Sequence, residues 1–134
     1  MIIHITNTTC IKDIQKKFRQ VYPFLKIEFF DRPPTWSTIV KTAHRYDPGF
    51  QIQFIEKIKK HHLLELHPWE KLETIEQQFS EVFGLHAQIY RRHAYSWIET
   101  AGTQELSLDE QNSIGKKSLM EPSENLLLER EALL

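Results

Sequence analysis

The sequence predicts an α+β fold: a two-layer sandwich with a mixed sheet, built from two β-α-β-β-α repeats. Three observations carry that expectation. Short runs alternate apolar and polar residues, apolar residues recur at helical spacing between those runs, and the whole pattern returns 61 residues later. At that offset Ile3, Ile5, Ile11, Ile14, Phe18, Val21 and Tyr22 fall on Leu64, Leu66, Leu72, Ile75, Phe79, Val82 and Phe83. With one residue deleted, Leu25, Ile27 and Phe29 fall on Leu85, Ala87 and Ile89, and Trp36 then meets Trp97 at the original offset.

Each element has a local reason. Ile3 with Ile5, and Leu64 with Leu66, alternate as half-buried strands do. Ile11 to Tyr22 forms one helical stripe, with Thr8 or Thr9 as its expected cap. His67-Pro68-Trp69 is expected to open the second helix; Pro23 and Gly84 end the two helices. Leu25 to Phe29 and Leu85 to Ile89 then alternate again, so each unit reads β-α-β, which favours a parallel pair. Tyr95 to Thr100 follows as a hairpin strand, and Thr35 to Val40 is its expected counterpart after the turn Asp31-Arg32-Pro33-Pro34. Ser107-Leu108-Asp109-Glu110 has the capping-box form of a closing helix. Residues 49–60 satisfy both a helical stripe and strand alternation. Residues 1–117 thus form a single domain of two repeats, about 1–60 and 62–117, and 118–134 form a tail expected to dock as a short helix.

Residues 79–112 carry a set of short words: Val82-Phe83-Gly84-Leu85, Gln88-Ile89-Tyr90-Arg91-Arg92, Trp97-Ile98-Glu99-Thr100 and Ser107-Leu108-Asp109-Glu110-Gln111-Asn112. In these the chain resembles a family of small, uncharacterised bacterial proteins found chiefly in Bacteroidetes. That family's pattern has Ser-Gly in the hairpin turn, where this chain has His93-Ala94, and tryptophan where Leu106 stands. The resemblance implies a fold grouping and no mechanism.

Composition narrows function. The net charge of -1 disfavours a surface that binds nucleic acid by charge alone. Yet residues 1–67 carry a net +5 and residues 68–134 a net -6, so the balance hides two halves of opposite sign. That split suits association of a positive patch with a negative one, whether on another protein or on a second copy. Ion pairing between the halves is the competing structural explanation. One cysteine, Cys10, leaves no internal disulfide and no cysteine-based zinc cluster. Seven histidines occur without metal-ligand spacing, so neither a metal nor a cofactor is expected. No apolar run approaches the roughly 20 residues of a membrane span, and the expected location is cytoplasmic.

The expected function is a small domain acting through protein-protein contacts or self-association, without catalysis. Its candidate contact surface is Arg91, Arg92, His93 and Tyr95, since arginine and large aromatics favour interface hot spots. Alternation places Arg91, His93 and Tyr95 on one face, and Trp97 is expected in the core. The alternative is a weak nucleic-acid or phosphate-binding module on a basic patch of Lys57, Lys59, Lys60, His61 and His62. A third reading is an enzyme with a dispersed site, which requires a polar pocket holding titratable groups of shifted pKa. Cys10 with His4 or His67 would be a nucleophile-base pair, while Glu73 with Glu76 is explained by the helix dipole alone.

Overall fold

The computed structural model describes residues 1–33, 43–55 and 62–119. Their order is β1 (Ile2–Ile5), α1 (Ile11–Val21), β2 (Leu25–Phe30), a 3-10 turn (Ile52–Phe54), β3 (His62–Glu65), α2 (Leu72–Phe83), β4 (His86–His93), β5 (Ser96–Glu99) and α3 (Leu108–Lys117). The fold is α+β, with three helices and two antiparallel sheets among the described residues.

The pairing departs from the expected mixed sheet. β1 pairs with β3, and β2, β4 and β5 form a second sheet in the order β2-β4-β5, every pair antiparallel. Among the described residues no strand pairs with its partner across the helix that joins them. Alternation specifies which face of a strand is buried, but it is silent on which neighbour supplies the hydrogen bonds. Here the neighbours come from the other half of the chain: Ile3 faces Leu64, and Ile27 faces Ile89.

The apolar skeleton lies where periodicity puts it. Ile3, Ile5, Ile11, Ile14, Phe18, Leu25, Ile27 and Phe29 join Leu64, Leu66, Leu72, Ile75, Phe79, Phe83, Leu85 and Ile89 in one buried cluster. The Phe29 and Phe79 rings meet edge to face at 5.0 Å. Val21 is the exception and is exposed, while Tyr22 takes the buried place beside Phe18.

Helix ends show which local signals hold. Ser107 caps α3: its Oγ accepts from Glu110 N at 3.1 Å, and Glu110 Oε1 accepts from Ser107 N at 3.3 Å. Gly84 ends α2 in the left-handed conformation at φ 64°. At α1 the cap is Cys10 rather than either threonine; its N–H donates to Asp13 Oδ2 at 2.8 Å. Thr9 is occupied instead, accepting from Thr6 N. His67-Pro68-Trp69 precedes α2 as a turn in which Glu70 Oε1 accepts from His67 N, and the helix starts at Leu72. In residues 49–60, Ile52–Phe54 is a 3-10 turn, and residues 56–60 lie outside the described residues. The expected strand Thr35–Val40, with Trp36, also lies outside them, as does the tail from 120 onward.

α3 is drawn tightly against the turn that opens β2. Asn112 Oδ1 accepts from Phe24 N at 3.0 Å, and a Cβ added at Gly115 would sit 2.9 Å from both Phe24 Cβ and Phe24 O. At its C-terminus the Ser118 hydroxyl accepts from Ala94 N at 3.1 Å and lies 3.1 Å from Arg92 O. The β4–β5 hairpin is thereby fastened to the helix end.

Candidate functional site: the outer face of the three-stranded sheet

Strand alternation divides the candidate contact residues. On β4, Ala87 and Ile89 point into the core, so Arg91 shares their side and Tyr90 and Arg92 point outward. Arg91 Nη1 donates to Gln111 Oε1 at 2.7 Å, and Arg91 Nε is buried with no hydrogen-bond partner. Arg91 is thus half-buried and held against α3 on the inward side of the sheet. His93 is exposed at the strand end, facing Ser96. Tyr95 is not on a strand but in the two-residue turn, 92% exposed. Arg91 and His93 keep the same side of β4, whereas Tyr95 leaves the expected face because the turn at Ala94-Tyr95 interrupts the alternation.

Trp97 also leaves its expected place. It faces Arg92 across the β4–β5 ladder and is half-buried on the outward face instead of in the core. Three cations surround its ring: Arg19 Cζ at 5.0 Å, Arg92 Cζ at 5.2 Å and Lys26 Nζ at 5.4 Å from the centroid. Lys26 Nζ lies 5.2 Å from the Tyr90 ring as well. Arg92 Nε donates to Ala94 O at 2.8 Å, which fixes its guanidinium over the indole. Among the described residues neither Arg19 nor Arg92 pairs with a carboxylate; Lys26 reaches Glu28 only at 3.9 Å.

Arg19 and Lys26 went unnoticed in the sequence because they lie far from the hairpin. The available signal was the period: Lys26 occupies the outward position between Leu25 and Ile27, and Arg19 lies off the α1 apolar stripe. Burial of the Tyr90 ring edge, with Glu99 and Glu28 nearby, raises its hydroxyl above the usual tyrosine range.

A second polar site lies where β5 stops. The β4–β5 ladder ends at Tyr90–Glu99, so Ile89 needs other partners. Its C=O accepts from Thr100 Oγ1 at 2.8 Å, and its N–H donates to the Glu76 carboxylate. Glu76 Oε2 also accepts from Gln104 Nε2 at 3.2 Å, while Oε1 is buried without a partner. Burial is the main reason that the Glu76 carboxyl is pushed up to about 7; the two hydrogen bonds oppose it and the Glu73 charge adds to it. The helix-dipole explanation for Glu76 therefore fails: it faces the edge of β4. A cleft of about 220 Å³ adjoins it, with Ser80, His86, Gln88 and Gln104 in its walls.

The remaining candidates do not converge. Lys57, Lys59, Lys60 and His61 lie outside the described residues, and the backbone of His62 pairs with Ile5. Cys10 Sγ donates to Thr8 O at 3.8 Å; His67 stacks on Trp69 at 4.5 Å and lies 3.6 Å from Glu65. No cysteine-histidine pair forms among the described residues, nor does any group of three or more metal-ligating side chains. The four ion pairs among these residues all lie within 1–67, so none of them joins the oppositely charged halves. No described helix is long and apolar enough to cross a membrane. No family model, curated protein or solved structure matches the chain.

Proposed function

We propose that this protein is a non-catalytic binding domain working through protein contacts, and that the outer face of the β2-β4-β5 sheet receives an acidic segment of its partner. The single observation behind this reading is the convergence of Arg19, Lys26 and Arg92 on Trp97. Three cations held at one ring repel one another, and a carboxylate-bearing partner relieves that repulsion. Guanidinium groups stacked on an indole are already ordered, so less side-chain entropy is lost when they bind.

Nucleic acid is the poorer fit. Glu28 and Glu99 share this face and oppose a continuous line of phosphates. The indole is occupied by its cations, which leaves it a poor stacking platform for a base.

Titration with a glutamate-rich peptide, a lysine-rich peptide of equal length and a single-stranded oligonucleotide tests the proposal. The acidic peptide should bind in a salt-sensitive manner, and Arg92→Ala and Arg19→Ala should each weaken it. Absence of acidic-peptide binding, or indifference to both substitutions, overturns the reading. Tighter binding of the oligonucleotide replaces it with the phosphate-binding one. Light scattering across concentrations determines whether the partner is a second copy.

We infer also that the chain is a duplicated unit folded as a two-layer sandwich about a local twofold axis. The support is in the register. Ile3 pairs with Leu64, its own counterpart 61 residues on, and Glu28 pairs with Gln88, its counterpart after the one-residue deletion. Positions paired with their own counterparts are what a twofold through both ladders requires.

A further inference from the structure

Resting on the acidic-partner reading above, we propose that the partner's segment binds as an added antiparallel strand along the outer edge of β5, with a carboxylate opposite Trp97. The direction of the backbone groups carries this. In an antiparallel sheet each residue sends its N–H and C=O to one side, and successive residues alternate. Arg92 N donates to Phe24 O at 2.9 Å, on the β2 side of β4. Ile89 turns its C=O to Thr100 Oγ1, on the β5 side. The odd-numbered residues of β4 therefore bond β5, Arg91 with Ile98 and His93 with Ser96. Trp97 and Glu99, opposite Arg92 and Tyr90, turn their N–H and C=O away from β4. β5 ends the sheet order, and among the described residues no hydrogen bond reaches those four groups.

Charge and alternation select the occupant. A residue paired with Trp97 places its Cβ about 5 Å from that of Trp97, on the same face of the sheet. That face holds Arg19, Lys26 and Arg92 at 5.0, 5.4 and 5.2 Å from the indole centroid. A carboxylate there meets three cations, and an ammonium is repelled by them. Two residues along, the same face presents Glu99, so the partner position opposite it is polar and uncharged. The position between them faces Ile98, half-buried on the inward side, and is apolar. β5 itself carries neither proline nor lysine, residues that commonly keep foreign strands off an edge. The end of α3 lies on the other side of β4: Ser118 Oγ is 3.1 Å from Arg92 O, which faces β2.

Amide hydrogen exchange of the full chain, read by NMR with and without the peptide acetyl-Ser-Thr-Val-Glu-Val-Thr-Ser-amide, is the test. Without peptide, the Trp97 and Glu99 amides should exchange readily while Ile98 is protected. With peptide at about ten times Kd, exchange at Trp97 and Glu99 should slow by about tenfold. A methyl on the peptide's Glu nitrogen removes its bond to Trp97 O and should weaken binding by about tenfold or more. A methyl on the preceding Val nitrogen, which points away from β5, should be tolerated. Glu99→Pro keeps every backbone bond to β4 and should still lose the peptide. Circular dichroism establishes that this variant is folded; if it is not, the methylated peptides still decide. Trp97 and Glu99 amides already protected in the free chain overturn the proposal, because the chain's own residues then cover the edge. Binding without protection at these amides, or equal loss from both methylations, overturns strand addition and leaves the acidic-partner reading intact. So does failure of this peptide where the glutamate-rich peptide binds. Equal protection by the same peptide with Gln for Glu has the opposite meaning: strand pairing stands, and the carboxylate falls together with the acidic-partner reading.

Discussion

Arg91 Nη1 donates to Gln111 Oε1 at 2.7 Å, and Gln111 passes the connection on through Nε2 to Thr103 O at 2.7 Å. Gln111 is 0% exposed, so this amide joins β4, α3 and the loop between them inside the protein. Removing it strands a guanidinium and a carbonyl away from water. Gln111→Leu is expected to cost about 2–3 kcal/mol in chemical denaturation. The double variant Arg91→Met with Gln111→Leu should cost less than Gln111→Leu alone, because no charge is left unpaired. Simple additivity of the two single costs would show that the pair is not coupled.

Gly115 lies inside α3, where alanine ordinarily favours the helix by about 1 kcal/mol. Here the new methyl would meet the Phe24 backbone at 2.9 Å. Gly115→Ala should therefore destabilise by about 1–3 kcal/mol, measured as a lower denaturant midpoint with an unchanged slope. A raised midpoint would mean that α3 can lift away from β2 at little cost.

Ala94 holds φ at 51°, at the first loop position of a two-residue hairpin. Glycine adopts that conformation without a Cβ clash. Ala94→Gly should stabilise by about 0.5–1 kcal/mol and raise the melting temperature by a few degrees. An unchanged or lowered melting temperature contradicts the strained turn.

Glu76 gives stability a pH dependence of definite sign. Its folded pKa of about 7 lies above the ordinary glutamate value of 4.5, so the folded state holds its proton more tightly. The contribution is fully present below about 4.5, declines as pH rises and is gone above about 7. Allowing for partial exposure, the loss is on the order of 1–2 kcal/mol. Glu76→Gln should flatten the stability profile across that window and leave the variant more stable than the parent at pH 8. Parallel profiles would show that Glu76 is not the group responsible.

Much of the architecture could be read directly from the residues. Ile11, Ile14, Phe18 and their counterparts Leu72, Ile75 and Phe79 repeat at helical spacing because one face of each helix must be dry. Ser107 with Glu110, and Gly84, are signals that work within a few residues, so they survive any tertiary arrangement. The site was less legible. Trp97 repeats an apolar position, yet its ring is held by Arg19 and Lys26, 78 and 71 residues away in the chain, and no local period encodes that meeting.

By itself the sequence determined the α+β class, the buried faces of β1 to β4, α1 and α2, the α3 cap and the opposite charge of the two halves. Those properties follow from local spacing and side-chain type. Tertiary structure alone decided that β1 joins β3 and β2 joins β4, that Arg91 meets Gln111 while Trp97 meets Arg19 and Lys26, and that Glu76 faces the unpaired edge of β4. Backbone hydrogen bonds are identical for every residue, so the choice of partner strand is made by packing the whole core at once. With it are chosen the charges that end up side by side.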